Sequence, residues 1–128
     1  MDDGPRELPQ QNLDLMVRIH LHEKAQMEAL AAARKGGCRQ DTWMLLAKGL
    51  ETKHPGEAVT ILQEQLDPII APMKPESYRA AVAVLGRIRE LAQRLKQPGL
   101  FTTTLAGVMA DHGRKKNLAT LIHKAGLA

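Results

Sequence analysis

The side chains best equipped for chemistry are few and scattered. Cys38 stands between Gly37 and Arg39. A neighbouring cation favours the thiolate, which is the reactive form of a cysteine. Nucleophilic catalysis also needs a placed base, and no His or Asp stands at a telling spacing from Cys38. An inert turn cysteine is the favoured reading. It is the chain's one cysteine, so it makes no intrachain disulfide and no multi-cysteine zinc site. His20 and His22 flank Leu21. Residues two apart project to different sides of a helix, and a tetrahedral metal site wants three or four ligands. His20 therefore reads as a packed core residue. No residue is assigned a catalytic, cofactor-binding or metal-binding role, and no cofactor is expected.

The densest run of reactive and charged groups is His112-Gly113-Arg114-Lys115-Lys116. With Arg94, Lys96 and Lys124, the lysines and arginine of this run make a candidate surface for an anionic partner, either nucleic-acid phosphates or an acidic protein segment. No aromatic residue interleaves with these cations, so base stacking on single strands has no support. The competing reading is a solvated corner between two helices. The overall charge is +4, but it is uneven. Residues Met1 to Met73 hold 8 basic and 11 acidic side chains, whereas Arg79 to Ala128 hold 9 and 2. The C-terminal half is thus the electrostatic candidate.

The elements that must position these groups read as helices throughout. Residues 1–11, with Gly4, Pro5 and Pro9, read as a flexible lead-in. Asn12 starts a first expected helix that runs to about Glu23. A second, alanine-rich helix begins near Ala25, carries Arg34 and Lys35 in its last turn, and stops at Gly36-Gly37, where one glycine takes the left-handed conformation. Asp41 is the expected N-cap of a third helix with the stripe Trp43, Leu46, Ala47 and Leu50. Pro55 opens a fourth, in which Ala58, Val59, Leu62, Leu66 and Ile69 recur at helical spacing, and Pro68 kinks or ends its regular part. The longest pattern runs from Pro75 to Leu95. Tyr78, Ala81, Val82, Leu85, Ile88, Ala92 and Leu95 fall on one face of it. The rest of the chain is expected to pack on this helix. A sixth helix carries Phe101, Leu105, Val108 and Met109, and a seventh spans about Lys116 to Lys124 with Gly126 as its stop.

Composition agrees with this reading. Aromatic residues make up only 2% of a chain that is 44% hydrophobic, which suits close-packed helices and disfavours a β-sandwich or barrel. With so few aromatics, Trp43 and Tyr78 read as core fillers rather than exposed anchors. No apolar run approaches a membrane-spanning length and the first residues are polar and acidic, so a cytoplasmic location is expected. The expected fold is all-α: residues 12–128 as one domain of about seven helices, in antiparallel hairpins stacked as a short α-solenoid.

Two stretches carry a resemblance. The first holds Gly36-Gly37-Cys38, Asp41 and Trp43 at a helix start, and the junction His54-Pro55-Gly56-Glu57-Ala58. The second holds Tyr78 to Val82, a helix led by Phe101, and the run His112-Gly113-Arg114-Lys115-Lys116-Asn117-Leu118. Together, over about Leu15 to Leu127, they resemble the C-terminal helical region of bacterial SWIM zinc-finger proteins. The resemblance implies a tetratricopeptide-like scaffold. It does not bring the family's zinc site, of the form C-x-C…C-x-H, because one cysteine cannot supply three thiolates. The chain then stands either as a piece of a larger zinc-finger protein or as a short relative without the finger. Two functions follow as expectations. The first is a non-enzymatic helical scaffold that binds another protein through a groove between hairpins. The second is a nucleic-acid-associated accessory domain that uses the basic C-terminal half.

Overall fold

A computed structural model describes residues 25–128. The lead-in and the helix expected over residues 12–23, including His20 and His22, lie outside the described residues. Six helices and no strand are found among the described residues: α1 (Gln26–Gly36), α2 (Gln40–Leu50), α3 (Pro55–Ile70), α4 (Pro75–Arg94), α5 (Gly99–His112) and α6 (Lys116–Lys124). The chain divides between His54 and Pro55 into two compact units.

In the first unit α1 packs on α2. Ala29 and Ala33 are buried beside Leu30, and small residues allow helix backbones to approach closely. Gly37 has φ +78° and its N–H bonds the Ala33 carbonyl at 2.7 Å. It is the glycine that turns the chain out of α1, since a side chain is strained there. The capping expectation for α2 is corrected. Arg39 occupies the N-cap position without a side-chain capping bond, and Asp41 lies one residue inside the helix start, in the first turn. The Trp43 N–H bonds the Arg39 carbonyl at 2.9 Å, which sets the start earlier than expected. Asp41 still favours the helix through the positive end of its dipole. Leu46, Ala47 and Leu50 are buried as expected, but Thr42 is buried in full whereas Trp43 is half-exposed. The Arg34 guanidinium lies over the Trp43 ring, 5.1 Å from its centroid. Among the described residues the Thr42 hydroxyl has no hydrogen-bond partner, which costs of the order of 1–3 kcal/mol where a buried hydroxyl stays unpaired.

The second unit is built on α4, which packs against α3, α5 and α6. Pro55 and Pro75 each stand at a helix start, where a missing N–H has no intrahelical partner to lose. Pro68 does not end α3 at once; the helix runs on to Ile70. Pro68 sits so near the terminus that it deletes only one late hydrogen bond, and Ala71 still bonds the Asp67 carbonyl at 2.9 Å. The buried face of α4 is wider than the expected stripe. Tyr78, Ala81, Leu85, Ile88 and Ala92 are buried, and Val84 and Leu91 join them, while Val82 and Leu95 are half-buried. One apolar stripe serves one neighbour; three neighbours need a broad arc. α5 and α6 are thinner contributors. They bury Val108, and Leu118 with Ile122, respectively. Phe101, Leu105 and Met109 of the expected α5 stripe stay half-exposed.

Two helices of this unit end alike. Past α6, the Gly126 N–H bonds the His123 carbonyl at 3.0 Å and the Leu127 N–H the Ile122 carbonyl at 3.2 Å, with Gly126 at φ +75°. Past α4, the Lys96 N–H bonds the Gln93 carbonyl at 3.0 Å and the Gln97 N–H the Ala92 carbonyl at 2.9 Å. This paired closure normally takes glycine at its left-handed residue. At α4 that residue is Lys96, at φ +59°. Lys96→Gly should therefore stabilise the second unit by about 0.5–1 kcal/mol, because it relieves a side chain from a left-handed backbone. Urea unfolding would register the gain as a higher midpoint; a lower midpoint would show that the Lys96 side chain contributes more than its backbone costs.

Candidate functional site

A cleft of about 240 Å³ opens between α3 and α5. Gln63, Leu66 and Asp67 form one wall; Thr103, Thr104, Gly107, Val108 and Asp111 form the other. The spacing within each wall is helical: Gln63 and Asp67 are four residues apart, and Thr104, Gly107 and Asp111 are three and four apart, so each set shares a face. Leu66 and Val108 are buried and give the cleft an apolar floor.

Two side-chain ties hold the walls. The Gln63 amide donates to the Thr104 hydroxyl at 2.8 Å, and that hydroxyl donates to the Leu100 carbonyl at 2.7 Å. At the other end His112 Nε2 meets Asp67 Oδ1 at 2.9 Å, and His112 Nδ1 meets Lys115 Nζ at 3.1 Å. A lysine ammonium only donates, so Nδ1 accepts. The ring proton is then on Nε2, which donates to Asp67. Asp67 remains 74% exposed and His112 only 16%. The contacts of Gln63 with Thr104 and of Asp67 with His112 also fix direction: α3 and α5 run the same way, side by side against α4.

This arrangement is poor in free reactive groups. A histidine held by a carboxylate resembles part of a hydrolytic triad, but its second nitrogen faces Lys115 rather than a nucleophile. The Thr104 hydroxyl is engaged as donor and acceptor. Cys38 is buried in the first unit. Among the described residues no group of three or more His, Cys, Asp or Glu side chains could hold a metal ion, and no helix is long and apolar enough to cross a membrane.

The six candidate cations fall at two ends of the second unit. Arg114, Lys115 and Lys116 occupy the corner between α5 and α6, beside His112. Arg94 and Lys96 stand at the far end of α4, and Lys124 closes α6. Lys116 and Lys124 are about 12 Å apart along the α6 axis at 1.5 Å per residue. Arg89 marks the second end. Its guanidinium bonds the Gly126 carbonyl at 3.2 Å and lies 6.0 Å from the centroid of the Phe101 ring, so it ties the start of α5 and the end of α6 to α4. All of the six except Lys115 are exposed; Lys115 is half-buried with its ammonium on His112.

Sequence reasoning did not single out Gln63, Asp67, Thr104 or Asp111. Their signal was no more than a polar side chain on a helix surface, which every surface helix shows. Only packing on α4 turns those two polar sides toward each other. No family model matches the chain, and neither curated proteins nor solved structures yield a match to it.

Proposed function

We propose that the chain is a non-enzymatic helical scaffold of the short solenoid, tetratricopeptide-like kind, which binds another protein and is akin to the C-terminal part of SWIM zinc-finger proteins. The observation that supports it most is the α3–α5 cleft. It is open and walled by two helices, while the groups beside it that could do chemistry, His112 and Thr104, are held by structural hydrogen bonds. Helical repeat proteins present partners with such inter-helix grooves.

A pull-down with the intact chain as bait, at low and high salt and with and without nuclease, tests this. Protein partners should persist through high salt and nuclease. A second reading rests on the corner Arg114-Lys115-Lys116: an accessory domain on nucleic acid. In that case recovery vanishes with salt or nuclease, because phosphate binding releases counterions and weakens steeply with salt. Reversing the charge of Arg114, Lys115 and Lys116 together should then abolish binding and leave helicity unchanged. Binding that survives the triple change, with an unaltered salt slope, removes the corner from consideration.

A further inference from the structure

The cleft says more about its occupant, on the scaffold reading just given. We infer that the α3–α5 cleft receives a single arginine side chain from a partner protein. Its volume, about 240 Å³, lies below the roughly 300–1,000 Å³ of pockets that enclose cofactors and drug-sized molecules. It suits one long side chain. The lining is graded in a way that matches arginine. Leu66 and Val108 offer an apolar floor for the methylene stem. Asp67 and Asp111 place carboxylates at the rim for the guanidinium. Asp67 uses Oδ1 on His112. The exposed Asp111 forms no ion pair among the described residues.

Gly107 adds an observation of a different kind. It lies in the interior of α5, where glycine weakens a helix. Nothing stands within 4 Å of where its Cβ would be, so internal packing does not require glycine there. Its bare backbone lines the cleft and leaves the space open. Gly86 in the interior of α4 has equal room for a Cβ but does not line the cleft, which makes it the matched control.

The test is an amide-shift titration of the full chain by NMR with N-acetyl-arginine N-methylamide, a one-residue stand-in for an arginine within a polypeptide. Saturable shifts should centre on Leu66, Thr103, Gly107 and Asp111, with a dissociation constant on the order of millimolar, as a single side chain allows. The neutral citrulline analogue should bind at least about tenfold more weakly, and Asp111→Asn should weaken the arginine probe by a similar factor. Gly107→Leu should abolish the shifts, and Gly86→Leu should keep them. Dispersed spectra establish that each variant is folded; if Gly107→Leu is not, Asp111→Asn decides. The proposal falls if the shifts do not saturate, if citrulline binds equally, or if binding survives Asp111→Asn. Free arginine binding more tightly than the amide would also overturn it, since the cleft would then hold a small molecule. Failure of the scaffold reading looks different: the probe binds, but the pull-down recovers no nuclease-resistant protein even at low salt. Equal recovery of partners by Gly107→Leu sinks the cleft and spares the scaffold.

Discussion

Leu85→Ala should lower the stability of the second unit by about 2–5 kcal/mol. Leu85 is fully buried on α4, the helix that α3, α5 and α6 share. Removal of its isobutyl group takes apolar area out of the core and leaves a cavity that three helices cannot all close upon at once. The substitution does not harm α4 as a helix, because alanine is the best helix former, so the loss reports packing alone. A domain of this size is held by roughly 5–15 kcal/mol, which makes the expected loss a large fraction of the whole. Tyr78, the chain's one tyrosine, is buried in α4 and reports on this unit through near-ultraviolet circular dichroism during urea unfolding. A midpoint within error of the parent protein would show that α4 is not the shared core.

Ile122→Ala should have an effect of similar size but confined to one helix. α6 has nine residues and buries only Leu118 and Ile122. Isolated helices shorter than about 12–15 residues are marginal in water, so α6 is helical because it docks. Loss of about 2 kcal/mol or more at Ile122 should let α6 detach before the rest opens, as happens for weakly anchored segments. Hydrogen exchange should then accelerate at amides from Leu118 to Leu127, including those that close the helix end at Gly126. Amides in the middle of α4 should keep their protection. Uniform acceleration across α3 to α6 would mean that the unit opens only as a whole.

The same sequence pattern served α4 and α6 unequally. The limits of α6 and the turn at Gly126 were legible, because apolar positions at helical spacing, a lysine in the last turn and a terminal glycine are local signals. Gly37 was legible for the same reason. The start of α2 was misread at Asp41, since a carboxylate can favour a helix either as its cap or from within its first turn. The left-handed Lys96 was not foreseen at all. Nothing in a lysine announces that conformation; the closure of α4 imposes it.

The candidate site divides along the same line. That Arg114, Lys115 and Lys116 lie together follows from their adjacency in the chain. That Arg94 and Lys96 stand at another end follows from the direction of α4, which only the packing reveals. The cleft belongs wholly to tertiary structure, because Asp67 and Asp111 are far apart in sequence and meet its rim only after α3 and α5 dock side by side on α4. The sequence by itself determined the helical character of the described residues, most of their helix limits, part of the apolar core and the uneven charge, all of which depend on neighbours a few residues away. Tertiary structure decided how wide a face α4 buries, which backbone positions are strained and which polar sides confront each other. Those depend on how many helices share one partner, and periodicity along a single helix does not encode that number.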